Sequence, residues 1–159
     1  MNYPHLGILS NHEIDMILKK VSFFRGSFSA DTMPPTLDSC KSPNAFIVNT
    51  ASQNMRGEHW VGIVINGNRD CFYFDSFGEQ LTNLPILYSL KKMGIETYKY
   101  NTKEIQSIFS DSCGYFCIAF VLAWKLKIPY EIFIDQFSEK KQENNEYVCH
   151  EFIKQTINF

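Results

Sequence analysis

Apolar positions along this chain follow two periods, and the switches between them mark out its elements. Ser10-Asn11-His12-Glu13 has the spacing of a capping box, and Ile14, Ile17, Leu18 and Val21 follow on one helical face. That pattern predicts a first amphipathic helix. A loop rich in Ser, Asp and Pro comes next, with Pro34-Pro35 at its middle. Residues 45–50 read as a buried strand. Residues 59–65 and 71–75 read as two more, joined by the turn-forming Asn66-Gly67-Asn68. Pro85 opens a helix through Leu90 that Gly94 closes, and 95–100, rich in β-branched and aromatic residues, predicts a fourth strand. The stretch from Cys113 to Trp124 is apolar on all sides, which predicts a central buried helix, stopped by Pro129. Two further helices, around 130–137 and 146–157, flank the polar loop 138–143. The order of helix, strands and helices predicts an α+β fold. It is read as a single domain, 1–159, with a mostly antiparallel central sheet and one buried helix.

Composition narrows the class. A chain of 159 residues with 45% hydrophobic and 20% charged positions can build one real core. The net charge of −2 supplies no field that would draw it to nucleic acid or to an anionic membrane. The longest apolar run, 113–124, falls short of the roughly 20 residues a bilayer span needs. Met1-Asn2-Tyr3-Pro4-His5 lacks the basic and apolar segments of a secretory signal. Five cysteines without a framework spacing suit a reducing compartment, with Cys40, Cys71, Cys117 and Cys149 expected as buried apolar residues. No CxxC pair or HExxH occurs, so neither a metal site nor a required cofactor is expected.

The chemistry centres on Cys113. Ser110, Asp111 and Ser112 precede it and are residue types that cap helix N-termini, so Cys113 is expected in the first turn of the buried helix. There the helix macrodipole favours thiolate over thiol. Cysteine-based acyl transfer also needs a base, a group that orients the base, and donors for the oxyanion. His59 begins one strand and Asp75 ends the next; if the two pair as a hairpin, both lie at its open end. Gln106 stands seven residues before Cys113. Taken singly, each has a plainer reading: Cys113 a small residue at a helix start, His59 a strand-edge histidine, Asp75 a turn-initiating carboxylate, Gln106 a solvated loop amide. Their combination is what argues for catalysis.

Three blocks resemble the adenain family of maturational cysteine proteases, found in adenoviruses, virophages and polinton-type elements. The first is Val48-Asn49-Thr50-Ala51, then seven residues, then His59-Trp60. The second is Cys71-Phe72-Tyr73-Phe74-Asp75-Ser76-Phe77-Gly78, similar to a strand ending in an acidic residue, a small residue, Phe and Gly. The third is Gln106, six residues, then Cys113-Gly114-Tyr115-Phe116-Cys117. The likeness extends loosely to Phe24-Arg25-Gly26 and fades after Trp124.

The resemblance implies an adenain/Ulp-like cysteine protease fold with His59 as general base, Asp75 as its orienter and Cys113 as nucleophile. The oxyanion hole would be the Gln106 side chain plus the Cys113 backbone N–H. It implies an endopeptidase that processes viral capsid and core precursor proteins during virion maturation, in the virion and the infected-cell assembly site, nucleus or cytoplasm being left open. Three departures matter. Asp75 replaces the Glu of the adenovirus enzyme. Ile95 stands where that enzyme tethers its activating peptide through a cysteine, which excludes a covalent peptide cofactor at that point. The long basic C-terminal extension is missing, which with the net charge argues against activation by DNA. A non-covalent capsid-derived activating peptide stays open. So do three competing readings: a SUMO- or ubiquitin-like deconjugating protease with the same His–Asp–Gln–Cys order, an acyltransferase on the same scaffold, and a non-enzymatic capsid-associated binding domain.

Overall fold

The computed structural model describes residues 7–54 and 59–157. The readings made on Met1 to His5, and the Met55 to Glu58 part of the seven-residue gap before His59, lie outside the described residues. Helix α1 (Asn11–Ile17) opens on the expected capping box: Glu13 N donates to Ser10 Oγ at 3.2 Å and Ser10 N to Glu13 Oε1 at 3.1 Å. Among the described residues five strands follow in chain order: β1 (Phe24–Ser29), β2 (Asn44–Asn49), β3 (Trp60–Ile65), β4 (Cys71–Phe74) and β5 (Lys99–Tyr100). Helix α2 (Leu84–Lys92) separates β4 from β5, and α3 (Cys113–Lys125), α4 (Tyr130–Asp135) and α5 (Asn145–Ile157) complete the chain.

The strands form one sheet in sequence order. β2, β3 and β4 pair antiparallel, as expected for its centre, while β1 and β5 join the two edges in parallel. Two details depart from the sequence reading. β1 was not expected, because each of its residues is half-buried and no alternation marks it. The predicted strand 95–100 pairs only through Lys99 and Tyr100, Ile95 being packed into the core below α2.

Both faces of the sheet are covered, which is why its strands read as nearly unbroken apolar runs. In β2 and β3, Ala45, Ile47 and Val64 face the core under α1, α3 and α5, while Phe46, Val48, Val61 and Ile63 face the core under α2. The close seating of α3 depends on Gly62. A Cβ there would lie 2.6 Å from Phe120 Cδ1, and Phe120 is itself stacked on Phe74 at 5.1 Å. α3 buries nine of its residues, Phe116 to Leu122 among them, and is the central helix the pattern predicted.

Two expectations need correction. Ser112 occupies the cap position of α3 but makes no side-chain bond to the helix; its hydroxyl donates to Glu146 of α5 at 2.8 Å. Cys40 is exposed rather than buried, lying in the loop before β2. No helix among the described residues is long and apolar enough to cross a membrane.

Candidate active site

Antiparallel register decides where His59 and Asp75 meet. Gly62 of β3 pairs with Phe74 of β4, so the residues just before β3 and just after β4 emerge at one end of the hairpin. His59 Nε2 lies 2.8 Å from Asp75 Oδ1 there. The same Oδ1 accepts from Phe77 N at 2.9 Å, which pins the carboxylate. The turn beyond it requires glycine: Gly78 has φ +71°, and a Cβ would sit 2.8 Å from the carbonyl oxygens of Thr102 and Lys103. That turn brings the Phe77 ring over the imidazole, with centroids 4.9 Å apart.

Cys113 is the first residue of α3, and its Sγ accepts from Trp60 N at 3.5 Å. Gly114 permits this approach. A Cβ at that position would stand 3.2 Å from Leu9 Cβ and 3.3 Å from Trp60 Cδ1, and Trp60 Nε1 donates to Leu9 O at 3.0 Å. The sulfur is also within hydrogen-bonding reach of His59. Since Nε2 is engaged by Asp75, Nδ1 is the nitrogen that remains for the thiol.

Electrostatics at His59 are a contest. Burial, the largest influence, disfavours the imidazolium. The hydrogen bond to Asp75, then that to Cys113, then the charges of both outweigh it, and the pKa rises from 6.5 to about 9. The imidazole therefore holds its proton at neutral pH. Cys71 is pushed up to about 12 by burial, and burial also pushes up the fully buried Cys117 and Cys149. Those three are structural thiols, inert as nucleophiles.

Gln106 is not a solvated loop amide. It is 2% exposed, its N–H donates to Ser76 O at 2.9 Å, its Oε1 accepts from Ser76 Oγ at 2.5 Å, and its Nε2 donates to Ser110 O at 2.7 Å. These contacts fix which end of the amide is the donor and leave one Nε2 hydrogen uncommitted by them. His59 and Asp75 are thus hydrogen-bonded, and Cys113 stands at the same end of β3, bonded to the neighbouring Trp60 N and acting on the His59 proton. Gln106 joins them through Ser76, adjacent to Asp75, and through Ser110, three residues before Cys113.

The structure adds two residues that sequence reasoning missed. Asn101 brackets the main chain of Asp75, accepting from Asp75 N at 3.2 Å and donating to Asp75 O at 2.7 Å. Tyr130 donates to Tyr73 O at 3.0 Å and lies 3.3 Å from Asn101 Oδ1. A lone Asn after a short strand carries no signal of such a role. A polar cleft of about 290 Å³ opens beside Trp60, lined by Asn11, Ser27, Thr32, Asn49 and Gln53. A larger apolar cavity of about 590 Å³ lies at the far end of α3, around Trp124 and Lys127, remote from this chemistry.

A family model described as adenovirus endoprotease matches residues 24–143. The protease of porcine adenovirus A serotype 3 is 30% identical over 92 residues, 49% of this chain and 45% of that protein. The protease of human adenovirus A serotype 12 is 28% identical over 132 residues, 72% of this chain and 63% of that protein. The chain therefore spans less than two thirds of the length of these relatives. Among solved structures, the ASFV pS273R protease superposes with a TM-score of 0.54 at 16% identity, covering 89% of this chain and 67% of that one. The central domain of the uncharacterized Lpg1148 protein from Legionella pneumophila superposes with a TM-score of 0.60 at 13% identity, covering 97% and 100%. At such identities the likeness speaks for the fold alone.

Proposed function

Because this chain belongs to the adenovirus endoprotease family, we propose that it is a cysteine endopeptidase acting on viral capsid and core precursor proteins during virion maturation. Its setting is then the virion and the site of assembly in the infected cell. The observation that carries the reading is the His59–Asp75 pair at 2.8 Å, set against Cys113 at the start of a buried helix.

In this reading His59, as general base, already holds the proton of Cys113 as an imidazolium, and the sulfur attacks the scissile carbonyl carbon as the thiolate. The carbonyl oxygen gains negative charge and receives the Gln106 Nε2–H and the Cys113 backbone N–H, one of the unpaired donors that open any helix. His59 then donates its proton to the leaving amine as the C–N bond breaks. Water, deprotonated by the same imidazole, cleaves the thioester and restores the thiol. Asp75 holds the ring orientation and stabilises the imidazolium throughout, without itself taking the proton.

Activity needs no covalent cofactor in this reading, and any activator is a capsid-derived segment bound non-covalently. The supporting observation is that β5, an edge strand of two residues, pairs with β4 alone among the described residues, and a sheet edge is where an added strand can bind. The primary test is co-expression with a capsid precursor, followed by mass spectrometry of the protein termini. Cys113→Ala is expected to leave the precursor whole while the fold persists. Processing at the wild-type rate by that variant would overturn the reading.

A further inference from the structure

The hydroxyls expected to cap α3 turn away from it, and both go to one carboxylate. Glu146 Oε1, in the first turn of α5, accepts from Ser110 Oγ and from Ser112 Oγ, the latter at 2.8 Å. Ser110 in turn receives Ser112 N on its hydroxyl at 3.2 Å and Gln106 Nε2 on its carbonyl at 2.7 Å. The neighbouring Asn145, 1% exposed, grips the other end of the same loop, donating from Nδ2 to Ile105 O and to Ser138 O at 2.8 Å each. Between these anchors the loop is exposed, with Phe109 at 88%. We infer that Glu146 is the positioning residue of the oxyanion loop, setting from α5 the separation between the Gln106 amide and the Cys113 N–H. Glu146 lies beyond residues 24–143, where the family model ends.

The chemistry fits the task. A carboxylate that accepts two hydroxyls makes charge-assisted bonds, stronger than the neutral cap they replace, and its charge sits favourably at the N-terminus of α5. Drawing Ser112 Oγ away also leaves the first N–H donors of α3 unclaimed by their own cap side chain. Glu146 touches neither substrate nor sulfur; it acts through Ser110, Ser112 and Gln106.

The inference rests on Gln106 being an oxyanion donor, so the experiment separates the two. The probe is a fluorogenic peptide spanning a cut site mapped in the co-expression experiment, together with its aldehyde analogue and iodoacetamide. The aldehyde adds the Cys113 S–H across its carbonyl, and the resulting hemithioacetal oxygen needs the hole; alkylation by iodoacetamide displaces iodide and needs only Cys113 and His59. Glu146→Ala is expected to lower kcat by about tenfold or more and aldehyde affinity by a similar factor, with KM and the alkylation rate within about twofold. Glu146→Gln, which keeps an acceptor oxygen, recovers most of the loss. In a Gln106→Ala background, which itself costs on the order of 10²–10³ in kcat, Glu146→Ala adds less than about twofold, because the two act as a unit. If Glu146→Ala unfolds, Ser112→Ala, which removes one arm only, carries the same test on a smaller scale. Normal kcat in Glu146→Ala, or a fall in alkylation equal to the fall in kcat, overturns the inference. Normal kcat in Gln106→Ala overturns the oxyanion reading and this inference with it.

Discussion

Replacing Asp75 by Asn removes one charge from the site and little of its geometry. The new Oδ1 can still accept from Phe77 N and from the imidazole, so the ring stays placed. What changes is the protonation of His59. The rise from 6.5 to about 9 corresponds to about 3 kcal/mol in favour of the imidazolium, at about 1.4 kcal/mol per pH unit. Asp75 is the largest of the influences that raise it, through both a hydrogen bond and its charge, and burial is an opposing influence that remains in the variant. The alkaline limb of kcat/KM, which reports loss of the imidazolium proton, is therefore expected to move down in Asp75→Asn from near 9 in the wild type, with Cys113 the raising influence that remains. Folding stability follows the same linkage. A raised pKa contributes stability that is fully present below 6.5 and is lost as pH rises through about 9, so the wild-type Tm falls across that window. The variant should start lower in Tm and show a flatter profile there. The assay is kcat/KM over about pH 5–10, with iodoacetamide alkylation of Cys113 over the same range as a substrate-free check. An alkaline limb that stays near 9 in Asp75→Asn would refute the claim that Asp75 sets the imidazole proton.

Two further outcomes test other parts of the structure. Gly62→Ala places a Cβ 2.6 Å from Phe120 Cδ1 in a filled core, so urea unfolding should show a loss of about 1–3 kcal/mol; an unchanged midpoint would mean α3 is less tightly seated on β3 than described. DNA added to purified enzyme across a salt series under reducing conditions should leave peptide cleavage unstimulated, since the net charge is −2; strong stimulation that collapses with salt would instead point to Lys91-Lys92 and Lys140-Lys141.

Local patterns determined a good part of this protein from sequence alone. The Ser10–Glu13 capping box, the Asn66-Gly67-Asn68 hairpin, the Pro85 and Gly94 ends of α2 and the apolar run behind Cys113 are set by residues within one or two turns of one another, and each element stands where it was read. Two buried strands joined by a tight turn were enough to put His59 and Asp75 at one end, because antiparallel register leaves little choice. The resemblance supplied Gln106, whose neighbours carry no signal of their own. Tertiary structure alone decided the rest. β1 exists as a strand because a sheet edge accepted it in parallel, its own residues alternating too weakly to announce it, and the fold kept only Lys99 and Tyr100 of the predicted strand 95–100. Ser112 has the side chain of a helix cap, yet a carboxylate 34 residues later outcompetes the helix for its hydroxyl. Asn101 meets Asp75 across 26 residues, and Tyr130 meets Tyr73 across 57. Such contacts leave no periodicity in a sequence, since a hydrogen-bonding partner needs only the right atom in the right place. The folded backbone is what brings the atom there.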